Sequence, residues 1–157
     1  MSTRTALLPV DTAEPFIDGY LAYLLARASH LISAEFHVVV RRSRLPVLQW
    51  RVLATLADGQ RLSVGEVAAI ILVPQSTLTR VAERLVQSGL LLRADDARDR
   101  RITRIRLSAK GLKLAGRLVQ QARAHEAAVV AALGEADART LTRLLRTLIG
   151  QHAGGSP

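Results

Sequence analysis

Residues 63–107, SVGEVAAIILVPQSTLTRVAERLVQSGLLLRADDARDRRITRIRL, read as two short helices, a strand, an arginine-rich loop and a second strand. Ser63-Val64-Gly65-Glu66 has the form of a capping box, in which the serine hydroxyl accepts from an amide three residues on and the glutamate reaches back. The helix it opens is short. Leu72-Val73-Pro74 breaks it, because proline disfavours helix in the residue before it. Residues 75–88 then repeat Leu78, Val81, Ala82 and Leu85 at helical spacing, with Gln75, Ser76, Thr77, Thr79, Arg80 and Arg84 outside that stripe. Gly89 ends this second helix as a C-cap. Two helices joined in this way form a helix-turn-helix. Residues 90–93 and 102–107 read as the strands of a hairpin. In the second, Thr103, Ile105 and Leu107 fall on one face and Ile102, Arg104 and Arg106 on the other. Their connection, ADDARDRR at 94–101, is too long for a tight turn and dense in charge.

Working outward, residues 13–42 carry Phe16, Tyr20, Tyr23, Leu24, Leu31, Ala34 and Val38 at helical spacing and predict one long helix. A helix this long would overhang a single small core, which suggests packing against a second chain. Leu45-Pro46 fits a helix start, Val47, Leu48, Val52, Leu53 and Leu56 give its apolar face, and Asp58-Gly59 ends it. Ser108 caps a helix over 109–133, Gly134 breaks it, and Leu141, Leu144, Leu145 and Leu148 mark a last helix. Residues 1–12 and 153–157 read as flexible termini.

The chain has 157 residues, 49% of them apolar but only 3% aromatic, so one domain with an aliphatic core is expected. There is no cysteine, which excludes a disulfide framework, a thiolate metal site and cysteine redox sensing and suits a cytoplasmic protein. No apolar run reaches the ~18 residues of a membrane span, and the N-terminus reads as no export signal. The net charge of +9 is concentrated. Residues 1–59 hold 6 basic and 5 acidic side chains, residues 60–117 hold 12 and 5, and residues 118–157 hold 4 and 3. The middle segment thus carries +7 of the +9, which points to a polyanionic partner there. Of the 22 basic residues 20 are arginine, a compositional bias, so their placement is more informative than their identity.

A helix fits the DNA major groove, where each base pair shows a distinct donor and acceptor pattern. Gln75 and Arg80 suit base edges, arginine favouring guanine. Ser76, Thr77 and Thr79 suit phosphates or bases, and Arg84 lies on the same polar side. Amides at this helix's start, and at Ser63, favour phosphate oxygens. The plainer alternative is an ordinary solvated helix face. In the loop, Arg98, Arg100 and Arg101 suit a narrow minor groove, and Asp99 can hold the Arg101 guanidinium in one pose. The alternative there is a solvated turn with weak local ion pairs. Arg104 and Arg106 suit the DNA backbone.

The run WRVLATLADG, the helix-turn-helix ending STLTRVAERLVQSGLL, the loop DDARDRR and RIRLSAKG together resemble the MarR family of winged helix-turn-helix transcriptional regulators. The resemblance implies a mainly α fold with a small β-hairpin wing. The winged helix-turn-helix would occupy residues 45–107 and a helical dimerisation region residues 13–44 and 108–152. It implies an obligate homodimer on double-stranded DNA, at a pseudo-palindromic operator, usually as a repressor. The minor-groove contact maps to Arg100 or Arg101, with Asp99 orienting it. The sequence departs from the family at Leu72, where glycine is common, and near Pro74, where a Ser or Thr cap is common.

Family members commonly bind small anionic aromatic compounds between the dimerisation helices and the DNA-binding lobe. His30, His37 and Arg41 recur on one helix face and could meet a carboxylate or phenolate, with Phe36 and Trp50 as apolar wall. Equally, Trp50 can be core and the histidines can pack at a dimer seam. Arg41, Arg42 and Arg44 could instead take a more highly charged effector, such as a CoA thioester, or DNA phosphate. Two histidines without a third ligand make a weak zinc site, so no metal or cofactor is expected. No phosphate loop, triad or paired carboxylates support an enzyme. A sequence-tolerant architectural DNA binder is the alternative to a regulator.

Overall fold

The computed structural model describes residues 15–95 and 103–152. The expected flexible ends, Ile102, and the loop residues Arg98, Asp99, Arg100 and Arg101 lie outside the described residues. The elements run α1 (Phe16–Gly19), α2 (Leu21–Arg42), α3 (Val47–Thr55), β1 (Leu62–Ser63), α4 (Val64–Ile70), α5 (Gln75–Gln87), β2 (Leu91–Asp95), β3 (Thr103–Leu107), α6 (Ala109–Leu133) and α7 (Glu135–His152). They fall into two compact units that meet between Glu35 and Phe36.

The first unit holds α1 and most of α2. The single helix expected over 13–42 is interrupted: Tyr20 is extended, at φ −79° and ψ 107°. Gly19, a poor helix former with much backbone freedom to lose, ends α1 just before the break. The Phe16 and Tyr20 rings stack at 5.0 Å. α1 buries none of its residues, and Phe16, Tyr20, Leu21, Leu24 and Leu31 stay exposed.

The second unit has a continuous aliphatic core. Val40, Val52, Leu53, Leu56, Val67, Leu78, Leu85, Leu91, Ile105 and Leu118 are fully buried, each leucine contributing about 1.5–3 kcal/mol. Every member of the apolar stripe of α5 is buried. The sheet has three strands in the order β1-β3-β2, not the two of a bare hairpin. The added strand is two residues long, Leu62 facing Ile105 and Ser63 facing Arg104. Two residues carry no periodicity, so it exists only because β3 lies beside it. β2 starts one residue later than expected and runs on to Asp95, pairing Leu91 with Leu107, Arg93 with Ile105 and Asp95 with Thr103. Ile105 and Leu107 are buried, as the alternation requires.

One junction locks α5, the sheet and α6 together. Gly89, at φ 72°, turns the chain out of α5, and the Leu90 amide returns to the Leu85 carbonyl at 2.8 Å. The start of α6 then closes on this turn. The Ser108 amide donates to Leu90 O at 3.0 Å, the Ser108 hydroxyl donates to Gly89 O at 2.6 Å and accepts from the Gly111 amide at 3.0 Å, and Lys110 Nζ reaches Ser88 O at 2.8 Å. A Cβ at Gly111 would lie 2.1 Å from Leu90 O. Gly111→Ala must therefore move backbone, and is expected to destabilise the fold by about 3 kcal/mol in urea unfolding. A loss under about 0.5 kcal/mol, the range of ordinary surface changes, would show that the junction yields easily.

Candidate nucleic-acid interface

The capping box forms as the sequence implies. The Glu66 amide donates to Ser63 Oγ at 3.1 Å, and the Ser63 amide donates to Glu66 Oε2 at 2.6 Å. That second bond corrects one expectation: the Ser63 amide is committed to the carboxylate and is not open to a phosphate. Between α4 and α5 the chain reverses through Leu72, whose φ of 58° lies in the left-handed region and whose side chain is 84% exposed. The Val73 amide then bonds back to Ala68 O at 3.0 Å.

α5 begins at Gln75 with Pro74 as N-cap and no side-chain cap. The Thr77 and Leu78 amides are satisfied by Pro74 O at 3.0 and 3.1 Å. An uncapped helix start presents its first amides and the positive end of the helix dipole to an approaching anion. Gln75, Ser76, Thr77, Arg80 and Arg84 are exposed, and Thr79 is half-buried. Thr79 donates its hydroxyl proton to Gln75 O at 2.9 Å. Its oxygen therefore suits a base amino donor, or its methyl a thymine, better than a phosphate, which offers only acceptors.

Beside α5 runs an open groove of about 440 Å³ lined by Ser63, Gly65, Gln75, Thr79, Glu83, Arg93 and Thr103, among others. Two ion pairs join helices to strands around it. Arg104 Nη1 stands 3.4 Å from Glu66 Oε2 and 3.4 Å from Arg61 O, so Arg104 is braced against the capping box. Glu83 Oε1 and Arg93 Nη2 are 3.7 Å apart. Neither Glu83 nor Arg93 figured among the expected site residues; their ten-residue separation matches no local pattern. β2 and β3 bring the two ends of the 96–102 segment side by side, Asp95 opposite Thr103.

The expected effector residues are only partly brought together. The Phe36 and Trp50 rings meet at 5.4 Å, both in the core at 7% and 8% exposure. His125 of α6 joins them, 5.8 Å from Phe36, a contact that residues ninety positions apart could not announce. A groove of about 390 Å³ lies one helical turn along, lined by Val39, Arg42, Ser43, Gln121 and Ala124. His37 is half-buried and Arg41 exposed. His30 belongs to the first unit and is exposed. Among the described residues no three His, Cys, Asp or Glu side chains gather to hold a metal, and no helix is long and apolar enough to cross a membrane.

Four similarities to known proteins bear on this arrangement. A MarR family sequence profile matches residues 45–102. The crystal structure of a MarR family transcriptional regulator from Silicibacter pomeroyi is 41% identical, with a TM-score of 0.79 over 87% of this chain and 98% of that one. The HTH-type transcriptional repressor IacR of Pseudomonas putida is 27% identical over 126 residues, 80% of this chain and 75% of IacR. The regulator BpsR of Bordetella bronchiseptica, whose DNA binding is regulated by 6-hydroxynicotinic acid, is 27% identical with a TM-score of 0.73, covering 87% and 97% of the two chains.

The backbone at Leu72 generates a prediction. A left-handed non-glycine residue costs about 1–2 kcal/mol, and glycine's extra freedom when unfolded costs about 0.5–1 kcal/mol. Because the Leu72 side chain is in solvent, Leu72→Gly should raise stability by about 0.5 kcal/mol in chemical denaturation. A clear loss would mean that the leucine packs against something.

Proposed function

The chain belongs to the MarR family of transcriptional regulators, and from that premise we propose a homodimeric, cytoplasmic repressor released from a pseudo-palindromic operator by a small anionic effector. It is a regulator and not an enzyme. The observation that carries the operator reading is α5 itself: polar outward, uncapped at its start, seated on a fully buried apolar stripe and lying within the +7 segment. Arg80 and Gln75 would read bases, Ser76, Thr77 and Arg84 would hold phosphate, and Thr79 would meet a base edge. Arg100 or Arg101 would enter the minor groove, Asp99 orienting it and Arg98 nearby. Arg104 would follow the backbone, and Ser63 would contribute through its hydroxyl.

In this reading residues 45–107 form the DNA-binding part and residues 13–44 and 108–152 the dimerisation part. Exposed apolar side chains support the second assignment: Phe16, Tyr20, Leu21 and Leu24 in the first unit, and Leu141, Leu144 and Ile149 on α7 in the second. Apolar surface of that extent ordinarily meets another chain. A dimer would set two recognition helices ~34 Å apart, one DNA turn. The likeness to IacR supports repression. The likeness to BpsR supports an aromatic acid as effector. The groove lined by Val39, Arg42, Ser43, Gln121 and Ala124 offers a cation beside small apolar side chains, which suits an aromatic carboxylate or its CoA thioester. His30, His37 and Arg41 remain candidates for the same ligand.

Sedimentation should give twice the chain mass. Arg100→Ala and Arg101→Ala should each weaken a duplex selected from a random pool by about tenfold or more, leaving the dimer intact. Wild-type affinity in both variants would remove the wing assignment. A sequence-tolerant binder would instead hold selected and unselected duplexes alike, with a steep salt dependence. Hydroxylated aromatic acids should raise the melting temperature and release DNA together, since a ligand shifts the equilibrium only by its differential affinity. Stabilisation without release would separate ligand binding from regulation.

A further inference from the structure

The face that receives DNA carries a carboxylate. Glu83 lies one helical turn beyond Thr79 on α5 and lines the same groove. A phosphate repels it, so its presence there calls for a local role. Arg93 supplies one, its Nη2 3.7 Å from Glu83 Oε1, with the two side chains 44% and 51% exposed.

The register explains how Arg93 comes to be in the groove. It pairs with Ile105, and Leu91 pairs with Leu107. Residues opposite each other in an antiparallel pair leave the sheet on the same side. Arg93 therefore shares the side of Leu91, Ile105 and Leu107, all buried. It takes the position along β2 where that side passes from core to solvent. Arg104 and Arg106 alternate to the other side.

Duplex geometry then assigns an occupant. The major and minor grooves are separated by one sugar–phosphate strand. With α5 in a major groove and the β2–β3 hairpin directed at the adjacent minor groove, that strand must cross the space between helix and sheet. We infer that the Glu83–Arg93 groove seats this strand, with Arg93 a phosphate contact and Glu83 the positioning residue that holds its guanidinium. The Arg93 guanidinium, paired with Glu83 through Nη2 at 3.7 Å, keeps further N–H donors for a phosphate. The inference rests on the DNA-binding reading and adds to it two residues that no local motif marks.

The sign of one substitution tests it. Glu83→Gln removes a negative charge and so raises the net charge by one, and long-range attraction alone would then tighten binding; loss of positioning weakens it. Fluorescence anisotropy of the full-length protein would use a duplex selected from a random pool and an unselected duplex, each across a KCl series. Arg93→Ala should weaken both duplexes about tenfold and lower the slope of log affinity against log salt by about one, with Arg93→Lys recovering part. Glu83→Gln should weaken binding several-fold, and Glu83→Gln in the Arg93→Ala background should cost nothing more, because Glu83 acts through Arg93. Tighter binding by Glu83→Gln overturns the inference, as does an unchanged salt slope in Arg93→Ala. Wild type that binds neither duplex overturns the DNA reading as well, an outcome distinct from normal wild-type binding with silent variants.

Discussion

The architecture depends on the contact between the first turn of α6 and the turn that follows α5. Three successive carbonyls, of Ser88, Gly89 and Leu90, are taken up by Lys110, the Ser108 hydroxyl and the Ser108 amide. The missing side chain of Gly111 is what allows the approach. Those bonds satisfy the carbonyls of the turn that leaves α5 and cap the start of α6 in one place. They also fix where β2 leaves and β3 returns, because the two strands begin and end at this junction. The angle between α5 and the hairpin is thus set by backbone hydrogen bonds at its root, while its outer part is braced by Arg104 on Glu66 and Arg93 on Glu83.

This explains how a surface with several carboxylates can serve a polyanion. Glu66 caps α4 and supports Arg104 at once through the same oxygen. Glu83 stands beside Arg93. Among the described side chains, Glu66 and Glu83 are each set against a guanidinium that joins a helix to a strand, an arrangement in which a carboxylate can orient a cation. Exposed ion pairs of this kind add little stability; their value lies in geometry, since a guanidinium held in one direction loses less freedom when it meets a phosphate. The uncapped start of α5 follows the same logic, with Pro74 presetting the backbone and no side chain hydrogen-bonded as a cap to the helix end.

Much of this was legible in residues 63–107 alone. The capping box, the inward stripe of α5, the Gly89 C-cap and the alternation of β3 are local patterns whose periods match 3.6 and 2, and all of them appear in the structure. The family resemblance rested on these stretches together with WRVLATLADG before them and SAKG after them, and the serine, lysine and glycine of SAKG prove to be the junction itself. The long first helix misled because apolar spacing continues through Gly19 and Tyr20, while the break is a backbone event that spacing does not record.

The sequence by itself determined the helix-turn-helix, the placement of positive charge and the absence of any thiol chemistry, because each follows from residues near one another or from a count. Only the tertiary structure decided the third strand, the Glu83–Arg93 and Glu66–Arg104 pairs, and the meeting of Phe36 and Trp50 with His125. Each of these joins elements that folding brings together across ten to ninety residues. The physical reason is that hydrogen-bond and ion-pair geometry is settled by which surfaces the core brings together, and a one-dimensional period specifies a face without naming its neighbour.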